Sequence, residues 1–192
     1  MSYDKISPFS SSSTPGIFFV PKTTNGSNDF VNNGIHHNSI RLISIETAFD
    51  YSSASINSVM ATLETLKAGI LFANSRCDKL VLPIMKMPLW LSSSSDTTSL
   101  GEAGWRKFNA VPPANYATWN LLMDSIVSKI NGQWGLDPYY EIWNEPDNFY
   151  WQGTPSEYFQ FFKNTYFGVK TNHPTAKICG PVISSFTSIF SS

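Results

Sequence analysis

Apolar and polar positions along this chain change period several times, and the changes mark its elements. Residues 139–145, Tyr-Tyr-Glu-Ile-Trp-Asn-Glu, form an aromatic and branched run with a polar tip. They predict a strand that stops near Glu145, because Pro146 has no N–H to continue a ladder. Residues 80–85 are continuously apolar, the pattern of a parallel strand covered on both faces. Residues 39–45 are β-branched enough for another strand, closed by the polar Glu46, Thr47 and Asp50. Residues 16–20, closed by Pro21, read as a short first strand, and 177–184 as a fifth. Between these runs the period is helical. Ser55 is placed as an N-cap before Ile56, Val59, Leu63, Leu66 and Ile70, predicting a helix to Asn74. Trp119, Leu122, Ile126 and Ile130 share one face of a helix over 116–131. Thr154, Pro155 and Glu157 give a capping-box start to a helix that ends near Thr171, before Pro174. A short first helix is placed within 29–37. Strict strand–helix alternation predicts an α/β protein with a parallel sheet.

Residues 1–15 are Ser-rich and expected to be loose, and 16–192 are read as the folded domain. Residues 91–108 form an unusually long connection with four consecutive serines, a length that marks either function or disorder. The chain shows no internal repeat at a fixed period.

Composition narrows the classes of partner. With 192 residues, a net charge of −1 and only 14% charged residues, there is no basic patch for nucleic acid and no charge run for an anionic membrane. No run reaches the ~18 apolar residues of a membrane span, and residues 1–14 lack the apolar centre of a signal peptide. The two cysteines, Cys77 and Cys179, are too few for a disulfide scaffold and read as small buried residues. His36 and His37 are adjacent, so on an extended segment their side chains diverge and do not share a metal; His173 reads as a helix-end cap. No phosphate loop, nucleophile elbow or His-Glu-x-x-His run occurs, and no cofactor is expected. The aromatic share, 15%, is high; aromatics fill cores and also stack on the apolar faces of sugar rings.

Glu145 stands out chemically. A carboxyl at a strand tip among aromatics is either a solvated or ion-paired residue, or a proton donor whose pKa an apolar pocket would raise. Glu141 cannot be its catalytic partner along an extended strand: four residues span about 13 Å, against the roughly 5–5.5 Å of a retaining carboxyl pair. Glu46 and Asp50, at another strand tip, stay open as partners.

The ordered series Glu-Ile-Trp-Asn-Glu-Pro-Asp over 141–147, Phe-Tyr-Trp over 149–151, Tyr158-Phe159 and Lys-Ile-Cys-Gly-Pro over 177–181 resembles glycoside hydrolase family 39, in clan A of the retaining glycosidases. The resemblance is strongest over 79–185 and thin before Ser39. It implies a (β/α)₈ barrel, of which this chain holds about the first five strands, since a full barrel takes about 250 residues. It implies a β-xylosidase-like glycosidase acting on carbohydrate, with Glu145 as general acid/base and Asn144 on the sugar 2-hydroxyl. Arg41 resembles the arginine that supports the site from the second strand, although the family's histidine two residues later is replaced by Ile43. The turn over 86–90 resembles the family's third-strand tip. Trp90 and Trp151 are candidate sugar platforms, and Trp143 is either a pocket wall or a packing residue. The nucleophile is implied on a seventh strand beyond Ser192, so this stretch alone is expected to be inactive and, with open sheet edges, to self-associate. The alternatives are a family 5-like endoglycanase, which shares the Asn-Glu-Pro strand, a non-catalytic carbohydrate-binding pseudoenzyme, and an inactive remnant.

Overall fold

A computed structural model describes residues 36–49, 52–101 and 104–185, together with the backbone of a short strand at 17–19. Five strands line up in sequence order in one sheet: β1 (Ile17–Phe19), β2 (His37–Leu42), β3 (Cys77–Ile84), β4 (Tyr139–Ile142) and β5 (Lys177–Cys179). Every pairing is parallel. The register sets Arg41 beside Val81, Val81 beside Tyr139 and Glu141 beside Cys179, so the C-terminal ends of the strands open on one rim. Parallel neighbours need crossovers, and the helices supply them: α1 (Ile56–Asn74), α2 (Tyr116–Val127) and α3 (Pro155–Asn172).

The caps act where the residues predict. Ser55 Oγ accepts from the Ser58 N–H, Asn115 caps α2, and Thr154 and Glu157 satisfy each other's backbone N–H groups at the start of α3. His173 is the C-cap of α3, and its Nε2 lies 2.9 Å from Asp124 Oδ1. On α1 the predicted Val59, Leu63 and Ile70 are buried and Ile56 and Leu66 partly so; on α2 the predicted Trp119, Leu122 and Ile126 are buried; α3 buries Phe161 and Val169. His36 and His37 diverge, His36 reaching Asp78 at 2.8 Å while His37 is buried.

Several boundaries differ from the sequence expectations. The second strand ends at Leu42, and Ile43–Phe49 is a 3₁₀ helix. Its buried residues, Ile45, Ala48 and Phe49, recur at i, i+3 and i+4, a helical spacing hidden inside a β-branched run. The helix over 116–131 ends at Val127 and runs on as a π-helical turn, Ser128–Gln133. β3 begins at Cys77, three residues earlier than its apolar run. β4 leaves regular pairing at Ile142, and β5 at Cys179, where Gly180 and then Pro181, with no N–H to give, interrupt it. The short helix expected within 29–37 lies outside the described residues except at its end, where His37 opens β2; residues 1–15 lie outside them as well.

α2 and α3 cross closely. Trp119 Nε1 donates to Thr165 Oγ1 at 2.8 Å in the buried seam. The Asn120 side chain lies against Gly168: a Cβ there would stand 2.4 Å from Asn120 Cγ. Gly168→Ala is therefore expected to destabilise by about 1–3 kcal/mol through overpacking, although alanine is the better helix former. Asn120→Gly in the same chain should recover most of the loss. Urea denaturation of both singles and the double variant measures the coupling.

The long connection is a folded strap. Ser99 bridges Arg106, Ser92 bridges Pro113, and Phe108 N–H donates to Asp96 O at 3.0 Å. Asp96 Oδ1 accepts from the Thr98 N–H at 2.9 Å, and Lys107 Nζ sits 3.2 Å from Oδ2. The Thr98 bonds first, and Lys107 after them, hold this carboxyl down at about 2. A depressed carboxyl stabilises the folded strap above the ordinary Asp range and ceases to do so as it protonates. Acidification from pH 4 to 2 is thus expected to loosen the strap, read as a change in tryptophan emission from Trp105 that is absent in Asp96→Asn.

Candidate active site

Beyond Ile142 the β4 chain bends twice through left-handed backbone, with φ of 72° at Trp143 and 44° at Glu145. Non-glycine residues there cost of order 1–3 kcal/mol each, so surrounding contacts must hold them. Trp143 N–H donates to Ile84 O at 3.0 Å and its indole N–H to Tyr150 O at 2.9 Å. Its ring is fully buried, edge-on to Trp151 at 5.2 Å and to Phe161 at 5.4 Å. The burial of that indole offsets the backbone strain. Pairing then resumes: Asn144 bridges Val182 in parallel sense, and Glu145 N–H donates to Val182 O at 2.8 Å. The register is unchanged across the break, Glu141 beside Cys179 and Asn144 beside Val182, so the ladder reaches Glu145 after an interruption of two residues on each strand. Gly180, at φ 109°, lets β5 come this close, since a Cβ there would stand 3.2 Å from Ile142 O. Asp147 pins the far side, accepting from the Ser184 N–H at 2.9 Å, the Ser184 hydroxyl at 2.8 Å and the Ser185 N–H at 2.9 Å.

Beneath this tip lies a buried polar network. Arg41 Nε donates to Glu141 Oε2 at 2.8 Å and to Oε1 at 3.0 Å, and Nη2 donates to Glu141 Oε1. Nη2 also donates to Asn144 Oδ1 at 2.9 Å. That bond fixes which way the amide faces: the oxygen is taken by a cation, and Nδ2 remains as a donor. Tyr158 donates its hydroxyl to Ile142 O at 3.1 Å and stays a neutral phenol, pushed up by burial and by the Glu141 charge. The Cys179 thiol, beside Glu141 in the register, is pushed up to about 12 mainly by burial and is not a nucleophile. It is half-buried, while Cys77 is buried as expected, and both are free.

A cleft of about 490 Å³ opens over the network. Arg41, Asn144 and Glu145 line it, with Glu46 from the 3₁₀ helix, and Ile43, Met85, Trp105, Tyr150 and Val182 supply apolar walls. Among the described residues the Glu145 carboxyl has no hydrogen bond or ion pair. A larger groove, about 760 Å³, runs between α2 and α3 over Phe159, Gln160 and Phe167. It is lined by a single charged side chain, Lys163, and no acid, so acid–base chemistry has its residues in the smaller cleft.

Arg41, Asn144 and Glu145 thus come together as the sequence suggests, and Glu141 takes the supporting position inside the sheet. The tryptophans do not gather there. Trp143 is a packing residue. Trp151 is buried in the same aromatic cluster, with its indole N–H on Thr154 O at 3.2 Å. Trp90 packs half-buried against the core and is not on the described cleft wall. The aromatic walls are Trp105 and Tyr150, whose rings stand 4.8 Å apart. Trp105 was hidden in a strap without periodicity; Glycines 101 and 104 beside it, both at positive φ, were the available signal that this segment turns back over the sheet. Ile43, in place of a histidine, gives the cleft an apolar surface at that point. Asp50 lies outside the described residues.

Comparison with known proteins bears on this geometry. Residues 77–192, well over half of the chain, match the family described as glycosyl hydrolases family 39. This decides between the two families that share the Asn-Glu-Pro strand. A β-xylosidase of Caldicellulosiruptor saccharolyticus is 31% identical over 81 residues, 39% of this chain and 17% of that protein. A β-xylosidase of Geobacillus stearothermophilus is 32% identical over 103 residues, 50% of this chain and 19% of that protein. Among solved structures, the GH39 enzyme from Xanthomonas axonopodis pv. citri superposes with a TM-score of 0.66 at 18% identity, over 90% of this chain and 35% of that one. A monomeric β-xylosidase from Caulobacter crescentus CB15 gives 0.65 at 16% identity, over 90% and 36%. The chain therefore spans under a fifth of the curated relatives and about a third of the solved ones. Its five parallel strands and intervening helices form part of a (β/α)₈ barrel.

Proposed function

The chain belongs to glycosyl hydrolase family 39, and from that premise we propose that its cleft serves retaining hydrolysis of O-glycosidic bonds in xylose-containing oligo- or polysaccharides, within a catalytic domain beginning near residue 16. Glu145 protonates the leaving oxygen and then takes a proton from the incoming water. Asn144 Nδ2 donates to the sugar 2-hydroxyl, a bond that tightens as charge develops at the anomeric carbon. Arg41, itself at the cleft wall, is held by Glu141 and keeps Asn144 in that orientation. The carboxylate that attacks the anomeric carbon is supplied from a seventh strand, as the family resemblance implies. Trp105 and Tyr150, rather than Trp90 and Trp151, form the apolar sides on which the sugar lies.

The observation that carries this reading is the bond from Arg41 Nη2 to Asn144 Oδ1 beside the Glu145 carboxyl, which has no partner among the described residues. It leaves one oriented donor and one acid facing the same space. The test is the anomer released first by the full gene product from p-nitrophenyl β-D-xyloside, followed by proton NMR. Two displacements return the β anomer. The α anomer appearing first overturns retention. Sugar binding without release favours a non-catalytic carbohydrate-binding protein.

A further inference from the structure

Glu46 shares the cleft with Glu145 but has a different setting. Its Oε2 lies 3.4 Å from Lys86 Nζ, while its side chain stays about a quarter exposed to the cleft. Among the described residues its Oε1 makes no hydrogen bond. Lys86 is placed for this contact at some expense. It is a non-glycine residue at φ 69°, its side chain is only 10% exposed, and its Nζ sits 5.2 Å from the centroid of the Trp105 ring. The ion pair at 3.4 Å and the Trp105 ring act together on a buried lysine in left-handed backbone. The wall ring, the lysine and the acid form one unit that fixes a carboxylate oxygen at the cleft edge.

We infer that Glu46, held by Lys86 against Trp105, is a specificity-determining hydroxyl acceptor that commits the cleft to neutral sugars carrying a free hydroxyl at the 3- or 4-position. An ionised carboxylate accepts and does not donate, so it selects the O–H groups of a sugar edge. The same charge disfavours a sugar acid. Both described cations at the cleft are already committed, Arg41 to Glu141 and Lys86 to Glu46. Among the described residues, a uronate carboxylate would meet the acidic side chains of Glu46 and Glu145 and no uncommitted cation. Glu46 is here a binding residue, distinct from the carboxylate that attacks the anomeric carbon.

This inference rests on the glycosidase reading of the cleft, and binding rather than turnover separates the two. In the full gene product, Glu145→Gln stops proton donation and leaves the sugar site for calorimetric titration. Methyl β-D-xyloside is expected to bind this variant, and adding Glu46→Gln should weaken binding by about tenfold or more, the scale of a lost charged hydrogen bond. The 3-deoxy or the 4-deoxy analogue should lose a similar factor against Glu145→Gln, but less than about twofold once Glu46→Gln is added. Methyl β-D-glucuronide should bind more weakly than the xyloside, with the gap narrowing in the double variant. Equal deoxy losses with and without Glu46→Gln, or unchanged xyloside affinity, would overturn the role of Glu46. If Glu46→Gln does not fold, the Glu145→Gln protein still decides: deoxy analogues and glucuronide binding as tightly as the xyloside overturn the inference. Absence of any sugar binding to Glu145→Gln overturns the glycosidase reading itself, and this inference with it.

Discussion

Glu145→Gln in the full gene product is expected to cut kcat for alkyl xylosides and xylo-oligosaccharides by about 10²–10⁴-fold, while 2,4-dinitrophenyl xyloside loses far less in its first displacement. The asymmetry follows from the leaving group. A dinitrophenolate departs without a proton, whereas an alkoxide needs one at the transition state. The amide fills nearly the same volume and cannot donate a proton to a glycosidic oxygen. The left-handed backbone at Glu145 and the Val182 bond that fixes its N–H are main-chain features, so they survive the change. Steady-state rates across a series of aryl leaving groups measure the effect. A loss that is the same for every leaving group would count against a proton-donating role and for a purely structural one.

The second large effect is expected from the buried pair beneath the tip. The Glu141 side chain is 4% exposed and that of Arg41 13%, and together they place three charged hydrogen bonds out of water. Removing one partner strands the other, so Glu141→Leu or Arg41→Met alone should destabilise by about 3–5 kcal/mol. The double replacement should cost less than the sum of the two, because neither charge is then left alone. Arg41→Lys is expected to fail as a substitute. One ammonium cannot span both Glu141 oxygens and Asn144 Oδ1 as the guanidinium fork does. Urea denaturation of the two singles and the double gives the coupling energy, and a value near zero would show that the pair is not a unit. A functional signature accompanies the stability loss. With Asn144 no longer oriented, the preference for a 2-hydroxyl over a 2-deoxy xyloside should fall even in Arg41→Lys.

Local signals in the chain carried much of this. The capping residues Ser55 and Thr154, and the apolar faces of α1 and α2, act within a few residues of themselves, so pattern alone identifies them. The continuous apolar run ending at Met85 and the aromatic run ending at Pro146 likewise announce strands covered on both faces, and their alternation with helices implies a parallel sheet. The series from Glu141 to Pro181 was specific enough to mark the family.

Side-chain direction at the tip was not legible. Residue types name Trp143 and Trp151 as sugar platforms as readily as core, and only the left-handed turn at Trp143, together with α3 behind it, drives both rings inward. Trp105 reaches the cleft because the strap is tied back at Ser92, Asp96 and Ser99, contacts between residues many positions apart with no periodic trace. The Arg41–Glu141–Asn144 network joins residues about a hundred positions apart in sequence, through the register of β2, β3 and β4. The sequence thus determined which segments form strands and helices and which carboxyl to suspect, since hydrophobic period, caps and prolines are short-range. The tertiary structure alone decided which side chains share the cleft, because strand register and the left-handed backbone at Trp143 and Glu145 set that, and neither is written in any one stretch of the chain.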